Sequence, residues 1–413
     1  MKIFLVGGAV RDALLNLPIK DKDWVVVGAT PELMIAKGYQ QVGRDFPVFL
    51  HPENHEEYAL ARTEYKSGKG YTGFVTKYSP NISLKQDLRR RDLTINAIAQ
   101  DEDGNLIDPY NGRDDINKRV LRHVSEAFTE DPLRILRVAR FAAKFAHLNF
   151  KVAKKTLQLM KDMVNNGELN YITPERIWKE TEKALHSSNP QVYFKILRTC
   201  RALKIIFPEI DVLYSIPISK KYYSEINLGL HTLKTLEKAA TLSNNVNIRF
   251  AALLHAVGNA WIPDQKLSTT DRNNITGISI IKNLCKRLHV PNATCDLALI
   301  VSEYHNFVHN VQYYSAKDLI LMFDRIDAWR KPDRINQLAM VSQADFYSRY
   351  KNLNYIQGNY LKIAFKCAQS VPIKDIIKKG FQGLELRKEL TLQRIAILQI
   401  KIKELQYNDS LIW

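Results

Sequence analysis

Residues 7–24 read Gly7-Gly8-Ala9-Val10-Arg11-Asp12-Ala13-Leu14-Leu15-Asn16-Leu17-Pro18-Ile19-Lys20-Asp21-Lys22-Asp23-Trp24. The apolar run before them, Ile3-Phe4-Leu5-Val6, predicts a short buried strand. It ends on Gly7-Gly8 and passes at once into a helix-like stretch, Ala9 to Leu15. A second strand, Trp24-Val25-Val26-Val27, follows with Asp21 and Asp23 at its mouth. Side chains two apart on an extended segment share a side. The two carboxylates are therefore expected to converge, a pattern that suits divalent cations with oxygen ligands. Glycines at a strand-to-helix turn let backbone N–H groups approach a phosphate, whose charge a helix N-terminus favours. A phosphate cradle and a cation site within one short unit point to phosphoryl chemistry.

Working outward, residues 87–97, DLRRRDLTINA, set Arg89, Arg90 and Arg91 beside Asp92. Further on stands Glu130-Asp131-Pro132-Leu133-Arg134-Ile135-Leu136-Arg137-Val138-Ala139-Arg140-Phe141. Pro132 suits the first position of a helix, with Asp131 as its cap. Arg134, Arg137 and Arg140 recur every third residue on one gently drifting face. Leu133, Leu136 and Phe141 are expected on the other side, against the core.

Taken together, Gly-Gly followed by Asp-x-Asp, the run Arg91-Asp92-x-x-x-Asn96-Ala97 and the Glu-Asp-x-x-Arg run from Glu130 resemble the class II tRNA nucleotidyltransferase and poly(A) polymerase family, to which CCA-adding enzymes belong. The segments GRDFPVFLH and ARTEYKSGKGYTGF extend the resemblance, which is dense over residues 1–145 and runs on to about 390. It implies that Asp21 and Asp23 hold Mg2+. It also implies that Gly8, Arg11 and Arg91 contact the triphosphate of ATP or CTP. Asp92 is expected to anchor its turn rather than bind metal. Asp131 and Arg134 become the base selector, with Arg137 and Arg140 on the nucleotide's remaining edge, sugar or triphosphate. A physical reason supports the selector. Cytosine and adenine both set an exocyclic amine beside a ring-nitrogen acceptor, so a carboxylate and a guanidinium together would choose C and A over U and G. The nearest rivals are an ATP-only poly(A) polymerase, a partial enzyme adding only CC or only A, and a catalytically inactive RNA-binding protein.

The multifunctional subgroup of this family carries an HD domain, a His/Asp metal cluster with phosphohydrolase activity. Here the expected His-Asp pair reads His255-Ala256, His305 is followed by Asn306, and Leu267–Thr276 holds no histidine. His231 and His255 remain, and two imidazoles without an anionic ligand hold a hydrolytic metal poorly. Structural histidines and a lost hydrolase are expected.

The 413 residues carry 60 Lys and Arg against 43 Asp and Glu, a net +17 that points to a polyanionic partner such as tRNA. Residues 1–150 hold 22 against 20, so the excess lies in the remainder. Cys200, Cys285, Cys295 and Cys367 form no metal-ligand spacing, and no apolar run reaches the ~18–20 residues of a membrane span. A reduced, cytoplasmic chain without a membrane partner, monomeric or homodimeric, is expected. The predicted fold is α+β: an N-terminal nucleotidyltransferase α/β head with a mixed sheet, then an all-helical body. The expected domains are 1–140 (head), 141–225 (helical neck), 226–330 (degenerate HD-like domain) and 331–413 (helical tRNA-binding region). Glu64–Phe74 is expected to be a glycine-rich loop over the site.

Overall fold

Lys2–Val6 forms β1 and leads through Gly7 directly into α1 (Gly8–Leu14). Asp23–Val27 returns as β2, antiparallel to β1, with Val6 opposite Asp23. The register brings the glycine turn beside the first carboxylate of β2. The structure, a computed structural model, describes residues 1–42, 48–66, 74–218, 225–260, 277–350 and 353–409. The loop expected between Glu64 and Phe74 lies largely outside them. So do residues 43–47 of the segment GRDFPVFLH.

Around this pair grows a seven-stranded sheet. Its further strands are β3 (Gln40–Val42), β4 (Val48–Leu50), β5 (Glu57–Leu60), β8 (Ala99–Gln100) and β9 (Leu106–Ile107), in the order β3-β4-β5-β2-β1-β8-β9. Only β2 and β5 pair in parallel, so the sheet is mixed as the sequence predicts. Strands β6 (Arg62–Lys66) and β7 (Phe74–Tyr78) form a separate hairpin. Alternation sorts the apolar side chains onto two faces. Phe4, Val6 and Val25 pack with Ile82, Leu88, Ala97 and Ala99 on one; Val26, Leu60, Phe49 and Met34 pack on the other. Burial on both faces explains why β1 and β2 read as continuous apolar runs.

Helix α2 (Pro31–Ala36) starts where Thr30 accepts from Leu33 N–H at 3.3 Å, and α3 (Leu84–Arg89) where Ser83 and Gln86 close a capping box. Helices α4 (Gly112–Asn117), α5 (Leu133–Lys144), α6 (Lys154–Asn165) and α7 (Pro174–Leu185) follow. Two compact units divide between Ile206 and Phe207. The expected boundary after residue 140 falls inside α5. Leu136, Val138, Ala139 and Ala143 of this helix are fully buried, and it packs on α7 and on Gln191–Thr199, so head and neck share one core. The body is helical as expected, apart from a two-residue strand, Lys151–Val152, that pairs in parallel with Val120–Leu121. The helix Gln191–Thr199 ends before Arg201, whose φ of 68° is left-handed.

In the second unit, helices Leu228–Leu242, Val246–Leu254, Asn292–His309 and Asp333–Arg349 pack into a bundle. Gln357–Gln369 and the 27-residue helix Gly383–Asp409 pack against each other beyond it. Among the described residues no helix is long and apolar enough to cross a membrane.

Candidate active site

A cleft of about 1080 Å³ opens in the N-terminal unit where the carboxyl end of β1, the start of β2, the segment after α3 and helices α5 and α7 meet. Nine cationic side chains line it against four carboxylates. Such an excess in a concave site is fitted to a polyanionic ligand.

The glycine pair divides its duties. Gly7 has φ 72° and ψ −119°, a region open to glycine, and a Cβ there would stand 2.7 Å from Arg91 Nη1. Gly8 opens α1 and a Cβ on it would meet only Arg11 Nη2, at an ordinary 3.6 Å. The backbone conformation therefore requires Gly7 to be glycine, whereas Gly8 is bare toward the cleft.

Arg11 is 4% exposed and reaches three ways. Its Nε donates to Asp12 at 2.8 Å, its Nη1 donates to Asn96 Oδ1, and its guanidinium lies 5.2 Å from the ring of Phe141. Burial lowers its pKa, opposed by Asp12. Asn96 Nδ2 donates in turn to Asp92 Oδ1 at 2.8 Å, and Arg137 holds Asp92 Oδ2 at 2.7 Å. Burial would raise the Asp92 pKa, but Arg137 and the Asn96 hydrogen bond hold it well below the usual carboxylate range. Asp92 also accepts from Leu93 N–H at 2.9 Å, fixing its own turn. A continuous polar chain thus ties α1 to α5.

Arg91 lies over the glycine turn, its Nη1 donating to Asn96 O at 3.5 Å and its Nη2 3.6 Å from buried Asp87. Burial lowers its pKa, with Asp87 and, more weakly, Asp23 opposing.

Asp131 and Arg134 both line the cleft. Asp131 Oδ1 accepts from Leu133 N–H at 3.0 Å, capping the turn into α5, while Oδ2 is held at 2.8 Å by Arg176 from α7. Arg134, 7% exposed, donates to the carbonyls of Ala127 and Arg90, the latter at 2.7 Å. Arg140 is paired with Glu180 at 2.6 Å and lies 4.2 Å over Phe141. The basic stripe of α5 is therefore anchored by protein partners rather than solvated. Leu133, Leu136 and Phe141 are all buried as expected, and Leu133 and Phe141 also border the cleft.

The carboxylate pair is only partly assembled. Asp23 begins β2 and lines the cleft; Asp21 precedes the strand, is exposed and is not on the cleft wall. The two-residue period that would align them needs both in extended strand, and the strand starts at Asp23. Among the described residues neither carboxylate makes a side-chain hydrogen bond or ion pair, whereas Asp92 and Asp131 are each held by an arginine. Unpaired hard oxygen donors at the mouth of a cationic cleft fit a divalent cation.

Sequence reasoning passed over several cleft residues. Glu57 pairs in register with Asp23 across β2 and β5, which sets a further carboxylate beside it on the cleft wall. Arg62, Lys144 and Arg176 also line the cleft. Asn96 carried a signal, since it stands in the quoted RRDxxxNA run; Arg176, 45 residues from the aspartate it holds, carried none.

In the second unit, His231, His255 and Asp345 present ligand atoms all within 4.8 Å of one another. The expectation of two imidazoles without an anionic group is corrected: helix packing brings in Asp345 from 90 residues beyond His255. Residues 267–276 lie outside the described residues.

The chain thus sets a mixed-sheet head with a cationic cleft ahead of a mainly helical remainder. The family comparison agrees. Residues 3–122 match the poly A polymerase head domain, 149–213 the probable RNA- and SrmB-binding site of polymerase A, and 228–349 the HD domain. The three matches follow one another along the chain in the order head, RNA-binding segment and HD segment. Its fold is similar to that of a CCA-adding enzyme solved with CTP, at 21% identity and TM-score 0.63 over 99% of this chain and 91% of that one. It is also similar to a CCA-adding enzyme solved with ATP, at 19% and 0.63 over 95% and 86%. The Thermotoga maritima CCA-adding enzyme complexed with tRNA matches at 19% and 0.59 over 98% and 91%.

Proposed function

We propose that this chain is a tRNA nucleotidyltransferase that adds or repairs the 3′-terminal CCA without a nucleic-acid template. The tRNA 3′-hydroxyl attacks the α-phosphorus of CTP or ATP, the bond to the β-phosphate breaks, and pyrophosphate leaves. The observation that carries this reading is the presence of Gly8, Asp23, Arg91, Asp131 and Arg134 on the wall of one cleft. The fold neighbours solved with CTP, ATP and tRNA support it.

Asp21 and Asp23 would hold Mg2+, two residues of chain apart and so within reach of one site. When bound, such ions supply charge that acidifies the attacking hydroxyl and neutralises the triphosphate. Arg11 and Arg91 bind phosphate oxygens; the exposed backbone at Gly8 allows close approach. Asp131 accepts from the exocyclic amine of C or A, and Arg134 donates to the adjacent ring nitrogen. Uracil and guanine present a carbonyl and an N–H instead, leaving both protein groups unpaired, which is the costly case. Phe141, with Arg137 and Arg140 beside it, offers a face for the base or sugar.

Incorporation assays with each of the four nucleoside triphosphates on end-trimmed tRNA test the reading. Use of CTP and then ATP, with UTP and GTP refused, is expected. Extension with ATP alone makes the chain a poly(A) polymerase, and binding without turnover in Mg2+ makes it an RNA-binding protein.

A further inference from the structure

Asp345, on Asp333–Arg349, is 1% exposed. Its Oδ1 lies 2.8 Å from His231 Nε2 and 3.5 Å from His255 Nε2; its Oδ2 lies 2.8 Å from His309 Nε2 and accepts from the guanidinium of Arg349, one turn along the same helix. Arg349 Nη2 also stands 3.2 Å from His309 Nε2. The His255 tautomer follows from its second nitrogen. Nδ1 lies 2.8 Å from the Ala252 carbonyl, which only accepts, so Nδ1 carries the proton and Nε2 turns a lone pair toward Asp345. Two acceptors facing each other in a buried site require a cation nearby.

An HD fold implies a divalent metal in that place, and the donor atoms of His231, His255 and Asp345 would suit one. The charge does not. Ala256 supplies no second carboxylate, and Arg349 already balances Asp345. A divalent ion added beside that pair would leave a net +2 in a site where Asp345, His231, His255 and His305 are all buried. Burying unbalanced charge of that size is strongly unfavourable.

We propose that Arg349 is the resident cation of this centre: its guanidinium takes the charge-balancing place of a metal ion, and the histidine cluster is a metal-free polar core. Arg349 is then a positioning residue for Asp345 and the imidazoles, and the HD unit folds without an ion.

Full-length protein stripped of metal and titrated with Co2+ tests this, reading the visible band of nitrogen-ligated cobalt as the difference from a His255→Gln counterpart, which cancels oxygen-only binding by the head. Wild type is expected to show no His255-dependent band. Arg349→Met, with its competing charge gone, is expected to show one at an affinity roughly 10–100-fold above the wild-type limit, the scale on which neighbouring groups shift metal binding. Should that variant fail to fold, Arg349→Gln, which keeps a donor without the charge, carries the same expectation. A His255-dependent band in wild type overturns the proposal. So does silence in a folded, uncharged variant, because Arg349 would then not be what excludes the ion.

Discussion

Gly7 and Gly8 are adjacent yet answer to different demands. Gly7→Ala forces a Cβ into the Arg91 guanidinium at a positive φ, so a loss of about 1–3 kcal/mol in unfolding free energy is expected by denaturant titration. Gly8→Ala meets only an ordinary contact and gains helix propensity. Its stability is expected to hold within ~0.5 kcal/mol, while KM for nucleotide rises because the bare approach is filled. Equal stability losses in the two variants would contradict this division. At the carboxylate, Asp23→Ala is expected to reduce incorporation by at least ~10³-fold, with tRNA affinity by filter binding nearly unchanged. Asp23 makes no side-chain hydrogen bond or ion pair among the described residues, and wild-type turnover in the variant would dismiss its role.

At the scale of elements, the joint between α1 and α5 is carried by the Arg11–Asn96–Asp92–Arg137 chain. Removing the Asp92 charge leaves Arg137 without its anion. Breaking a fully buried pair costs ~3–5 kcal/mol; with the Arg137 side chain 36% exposed, about 2–3 kcal/mol is expected for Asp92→Asn in thermal or urea unfolding. Because the native Asp92 pKa is depressed, its stabilisation is complete above the unfolded value of ~3.9 and is lost as pH falls below it. The α7–α5 contact bears on specificity. Arg176 fixes the carboxylate proposed to read the amine, so Arg176→Met is expected to cut the CTP-over-UTP ratio of kcat/KM by roughly tenfold, about one hydrogen bond's worth of orientation. Partial recovery in Arg176→Lys would mark positioning; an unchanged ratio would show that α5 alone orients Asp131.

At the scale of the whole molecule, the two units respond differently to acid. Burial lowers His231 to about 2, His309 to about 3 and His255 to about 4, and His305 well below its ordinary value. The unfolded chain binds protons at these imidazoles near pH ~6.5 while the native unit does not, so stability rises with pH and is lost from ~6.5 down toward 4. The slope is up to about 1.4 kcal/mol per pH unit for each imidazole. A pH series of thermal unfolding, with tryptophan fluorescence and proteolysis to separate the units, is expected to show the C-terminal unit failing first, near pH 5, while the N-terminal unit persists to below pH 4. Simultaneous failure at pH 4 or lower would contradict the neutral state of the cluster.

The chain by itself determined the elements whose cause is local: β1 and β2 from unbroken apolar runs, α1 from the glycine turn, α2 from its threonine cap and proline, and α7 from the proline that opens it. Of the three motif segments, residue type and short spacing suggested phosphoryl chemistry only for the first; the other two were read through their resemblance to a family. Tertiary structure decided what depends on long-range approach. It set Glu57 beside Asp23 through sheet register, Arg176 on Asp131 through helix packing, and Asp345 with Arg349 among histidines up to 118 residues away in the chain. It also left Asp21 outside the strand that the alternation rule had extended to it. Side-chain pairs of this kind form only after distant segments have packed, and no local pattern of residues records which partner each charge will meet.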